Sequence, residues 1–187
     1  MKKALLLLPV LLSLFTCLII SCKPCCDDPM IVRIPEADGT PPALQWEVAV
    51  KSQTPDGPIS SINLYNEQTT GITVKTTDQV DVYLIATDKE SGVKSLMIQG
   101  GFGYTCTPQG GGIPLAVDGI VAKKSEAFSQ LTTCGLKTWK IGYDALNVAF
   151  SCPGGGDLSA AIVTLQGNAN NFKGGSSDII LNIEVTQ

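Results

Sequence analysis

The side chains able to do chemistry in this 187-residue chain are few, and one type is missing. There is no histidine, so neither a Ser–His nor a Cys–His nucleophile pair can form. Seven cysteines stand at 17, 22, 25, 26, 106, 134 and 152. They make a weak metal set, because the one C-x-x-C spacing, Cys22 to Cys25, lies near the N-terminus and no imidazole supplements it. Asp88 and Glu90, with Asp78 and Asp81 upstream, offer oxygen ligands to Ca²⁺. They lack the spaced acidic pattern of a dedicated loop, and a solvated turn explains them better. No pair of carboxylates stands out for glycoside hydrolysis. Glycines cluster at 100–103, 110–112, 154–156 and 174–175, without the Gly-Lys-Ser/Thr ending of a phosphate loop. Tyr104, Trp139 and Tyr143 are the aromatic side chains best placed to form a binding face, whereas Trp46 alternates with apolar positions and reads as buried. No cofactor is implied.

Cys22 carries a sharper signal. Met1-Lys2-Lys3 precedes an uncharged apolar run from Ala4 to Ile20, the pattern of a secretory signal. Ile19-Ile20-Ser21-Cys22 resembles the bacterial lipobox, whereas Cys17, after the β-branched Thr16, fits it less well. The resemblance implies removal of residues 1–21, diacylglycerol on the Cys22 sulfur, and a further fatty acyl chain such as palmitate on the new amino group. Two or three acyl chains anchor stably where one is marginal. Loss of Lys2 and Lys3 takes the net charge from −4 to −6 on 166 residues. Such a chain is repelled by phosphate backbones and anionic lipid, which excludes nucleic acid as a partner and leaves membrane binding to the lipid. Asp27-Asp28 resembles the export signal of lipoproteins in Bacteroidetes-type bacteria. The expected location is the bacterial cell envelope, anchored to the outer membrane and facing either the surface or the periplasm.

The elements that must position these residues follow from periodicity. Residues 22–42 are rich in proline and read as a tether. From residue 43 onward, period-2 alternation predicts strands at Leu44–Val50, around Ile72 and Val74, and at Val80–Ala86, Val93–Gln99, Ala160–Gln166 and Ile179–Val185. Lys123–Leu131 is the best helix candidate, at two or three turns. Short strands between Gly, Asn, Asp and Pro turns predict an all-β antiparallel sandwich over residues 43–187. Ser91-Gly92-Val93-Lys94 has the S-x-x-K spacing of serine acyl-enzymes, but it opens a strand instead of a helix, so the match is chance.

Thr40-Pro41-Pro42, Ala86-Thr87-Asp88, Ser91-Gly92-Val93 and Ala169-Asn170-Asn171 with Gly174-Gly175 resemble bacterial immunoglobulin-like domains. The resemblance implies an immunoglobulin-like sandwich and a scaffold, with no particular activity. Residues of about 104–156 depart from it and read as a Cys- and Gly-rich insertion. In an oxidising compartment one disulfide is expected there, Cys106–Cys152 or else Cys134–Cys152. The function expected is a lipid-anchored, non-enzymatic module binding an envelope protein or glycan through that insertion. A structural spacer or assembly component is the alternative, and a hydrolase fits least.

Overall fold

In the computed structural model, residues 31–34, 39–54, 56–128, 134–152 and 154–187 are described. The signal segment, Cys22, Cys25, Cys26 and Asp27-Asp28 lie outside them. Eleven strands occur among the described residues: β1 Ile31–Arg33, β2 Ala43–Thr54, β3 Gly57–Tyr65, β4 Thr69–Lys75, β5 Gln79–Thr87, β6 Val93–Thr107, β7 Leu115–Ala127, β8 Cys134–Leu136, β9 Thr138–Leu146, β10 Asp157–Asn171 and β11 Ser176–Thr186. One sheet runs β1-β8-β6-β10-β11-β4, with β7 also on β6; the other runs β3-β2-β5-β9.

The two sheets form a sandwich because each presents one apolar row. Trp46, Val48, Val80, Val82, Leu84, Ala86 and Ile141 come from the smaller sheet. Leu96, Ile98, Val163, Leu165, Leu181 and Ile183 come from the larger. Burial on this scale, at about 1.5–3 kcal/mol for each large aliphatic side chain, is the main force holding the sheets together. The result is an all-β sandwich of a four-stranded and a seven-stranded sheet.

Four expectations need adjustment. The sandwich is not wholly antiparallel: β4 leaves the β2–β3 hairpin, crosses to the other sheet and pairs β11 in parallel, Thr69 opposite Ile180 through Lys75 opposite Thr186. Lys123–Ala127 is the end of a strand and not a helix, since Lys124 to Ala127 pair with Ile98 to Ser95. A two-turn helix is marginal on its own, and the ladder wins. The tether is not all linker, because Ile31–Arg33 pairs Leu136–Cys134. The region 104–156 is built into the sandwich, supplying all of β7 on one sheet and β9 on the edge of the other.

Candidate functional site

Thr40, Asp88, Ser91, Gly92 and Asn171 meet at one end of the sandwich. The Asp88 carboxylate accepts from the backbone N–H of Glu90, Ser91 and Gly92 at 3.1, 2.7 and 3.2 Å through Oδ1. Gly92 takes φ 71°, the left-handed conformation this turn requires. Asn171, 1% exposed, donates through Nδ2 to Asp88 Oδ2 at 3.1 Å and to the Thr40 carbonyl at 2.7 Å. Its Oδ1 accepts from Lys173 and Gly175 at 2.9 and 2.8 Å. Buried polar groups must find partners, and these residues partner one another. Asp88 is therefore a turn clamp, the role preferred for it over Ca²⁺ binding, and its oxygens face N–H donors. Glu90 contributes only backbone to that turn, and Asp78 Oδ2 caps its own turn by accepting from Lys75 N at 2.8 Å. No group of three or more metal-ligating side chains occurs among the described residues.

The opposite end carries the cleft. Cys106 and Cys152 are joined with their Cα atoms 5.4 Å apart, a bridge across 46 positions. This is the first of the two expected pairings, and it leaves Cys152 with no sulfur for Cys134. The bridge ties the end of β6 to the segment leading into β10. Beside it lies a cleft of about 450 Å³, lined by Phe102, Tyr104 and Phe150 on one side and Tyr143 to Asn147 on the other. That volume falls within the roughly 300–1,000 Å³ of small-ligand clefts. Phe150 packs 5.0 Å from Tyr104 and 5.3 Å from Phe102, centroid to centroid, and Phe102 lies 6.3 Å from Tyr104. Phe102 can lie flat because Gly119 is its cross-strand neighbour; a Cβ there would enter the ring.

The far wall is held in an unusual conformation. Ala145 has φ 55°, a left-handed backbone that alanine rarely adopts, next to a register shift in the β5–β9 ladder. Asp81, paired with Lys51 at 2.8 Å, accepts the Ala145 N–H at 2.8 Å and pins the bulge. The Lys51 bond and the Ala145 N–H hold the Asp81 carboxyl below its ordinary value, against a smaller opposing push from burial. Next to the bulge, Asp144 accepts a hydrogen bond from the Tyr83 hydroxyl, which raises the Tyr83 phenol to about 12.

Of the aromatics expected to form a face, the structure brings Tyr104 and Tyr143 together in the cleft and places Trp139 elsewhere. Tyr143 is buried, its hydroxyl donating to the Ala122 carbonyl, and burial pushes its phenol up. Trp139 packs 4.8 Å from Phe128 and donates to Glu126 at 2.9 Å, opposite Ala86 and so close to Asp88. Phe102, Phe150, Asp144 and Asn147 were not singled out by the sequence. The only trace was that Phe102 and Tyr104 lie two apart on one strand face, as period 2 demands. Compared with known proteins, the chain matches no family model and no curated protein.

Proposed function

We propose that this chain is a lipid-anchored, non-enzymatic binding module of the bacterial cell envelope, attached through acylated Cys22 and engaging an envelope protein or glycan through the Tyr104–Tyr143 cleft. The observation that carries this reading is where the cleft sits. Strand β1, the described segment nearest Cys22, adds to β8 beside Val93, at the start of β6. Phe102 lies nine residues further along β6, about 30 Å away at ~3.3 Å per residue. An anchor at the first end holds the cleft outward from the membrane, where a partner can reach it. Among the described residues no helix is long and apolar enough to cross a membrane.

The test is fractionation of Cys22→Ala cells with surface proteolysis of the unchanged strain. Release of the variant from the membrane fraction is expected. Recovery of the variant in membranes at precursor size refutes the anchor. A structural or assembly role is the second reading, and strand β3 favours it. This sheet edge carries Ile59, Ile62 and Leu64, each at least 60% exposed, and no charged residue to discourage edge pairing. Sedimentation decides: an unchanged chain that stays monomeric at all concentrations removes that reading, whereas self-association abolished by Ile62→Lys supports it.

A further inference from the structure

Resting on the cleft as the binding site, we infer that its ligand is a neutral glycan, held by one or two sugar rings. The cleft combines two kinds of surface. Phe102, Tyr104 and Phe150 form one aromatic wall, their rings inclined by only 16–31° to one another. The C–H face of a sugar ring packs against such a wall as any flat apolar surface does. Around it stand polar groups with hydrogen-bonding capacity still open. Asp144 uses Oδ1 for Tyr83, Asn147 uses Oδ1 for the Ala149 N–H at 3.1 Å, and Tyr104 and Ser151 use neither hydroxyl on another described residue. Asp144 Oδ2, Asn147 Nδ2 and the two hydroxyls thus supply acceptor, donor and amphoteric partners, matching the mixed demand of sugar hydroxyl groups.

Charge narrows the class. No lysine or arginine lines the cleft, its one carboxyl side chain is Asp144, and the chain carries −4 overall. Phosphorylated, sulfated or carboxylated ligands would meet a like-signed field, and Lys124, 4.9 Å from the Tyr143 ring, already donates to the Gly142 carbonyl. A plain hydrocarbon would bury the four polar groups without partners, which is unfavourable. A cationic amine is the competitor, since aromatic faces beside a carboxylate attract it. Rigidity completes the case: the Asp81 strut on the strained Ala145 and the Cys106–Cys152 bridge fix both walls before any ligand arrives, which lowers the entropy lost on binding.

Full-length protein in a polyoxyethylene detergent is titrated calorimetrically with maltohexaose, cellohexaose, laminarihexaose and mannohexaose, and with choline and a heparin hexasaccharide. In parallel it is sedimented with detergent-insoluble envelope fragments, before and after periodate oxidation of their sugar diols. At least one neutral hexasaccharide is expected to bind, to lose tenfold or more in affinity in Tyr104→Ala and Asn147→Ala, and to compete with the fragments. Ser151→Ala, which removes only an exposed hydroxyl, covers the case in which Tyr104→Ala unfolds. Fragment binding that these variants abolish, but that survives periodate and every hexasaccharide, leaves the cleft standing and overturns the glycan. Preference for choline or heparin overturns it too. Fragment binding untouched by all three variants overturns the cleft itself.

Discussion

Asn171 offers the most demanding test of how the sandwich end is held. Its side chain makes four hydrogen bonds at 1% exposure, two as donor and two as acceptor. At about 1 kcal/mol each, Asn171→Ala should cost about 4 kcal/mol, a large part of the roughly 5–15 kcal/mol typical of a domain. That deficit should not vary with pH. Asn171→Asp should behave differently, because it sets a second carboxyl 3.1 Å from Asp88 Oδ2. Two charges at that distance repel by about 5 kcal/mol at an effective dielectric constant of ~20. Holding a proton on the new carboxyl at pH 7 costs about 4 kcal/mol, some three pH units at ~1.36 kcal/mol each. Protonation is therefore the cheaper course, and with one lost donor bond the deficit at pH 7 is about 5 kcal/mol. The sign follows from linkage: a carboxyl whose folded pKa is raised is undisturbed below its unfolded value and destabilises as pH rises. Near pH 4 the deficit should fall to about 1 kcal/mol, smaller than that of the alanine variant. Urea denaturation of wild type and both variants at pH 7, 5.5 and 4, read at equal m-values, makes the comparison. An Asn171→Asp deficit unchanged across that range refutes the Asn171–Asp88 contact as described.

Three further outcomes can be checked. Replacing Cys106 and Cys152 together by serine opens a loop of 46 positions, and loop-closure entropy puts the loss at about 4 kcal/mol; a denaturation midpoint that does not move contradicts it. Gly142→Ala drives a Cβ into the Val82 carbonyl oxygen, which is backbone, whereas Gly119→Ala meets only the Phe102 ring. Overpacking should therefore cost about 3 kcal/mol at Gly142 and about 1–2 at Gly119, and thermal melts in the reverse order would rule this out. Ultraviolet titration should find Tyr83 ionising at about 12. Asp144→Asn should bring it down toward the ordinary ~10, and an unshifted titration would exclude the hydroxyl–carboxylate bond.

Local pattern made much of the scaffold legible. The alternation at Leu44–Val50, Val80–Ala86 and Ile179–Val185 marks strands because one face of each is buried against the other sheet. Trp46, in register with that face, is fully buried. Strand β3 gave no such mark: it hangs from the sheet edge with Ser60 to Leu64 exposed on both faces, so no burial imposes a period. Strand β7 is similarly exposed along most of its length, and its C-terminal end kept a helical spacing that pairing with β6 overrode.

The sequence by itself determined the all-β class, the expectation of an export signal, and the reading of Asp88 and Gly92 as a turn, because each depends on neighbours within a few positions. It also narrowed the cysteine pairing to two choices and ruled out imidazole chemistry. Only the tertiary structure decided that Asp88, Asn171 and Thr40, up to 131 positions apart, form one buried cluster. Only it chose Cys106 for Cys152, gathered Phe102, Tyr104 and Phe150 with Asp144 across two sheets, and sent Trp139 to the other end. The physical reason is that strand register and sheet packing, which bring distant residues together, depend on long-range burial that no local spacing encodes.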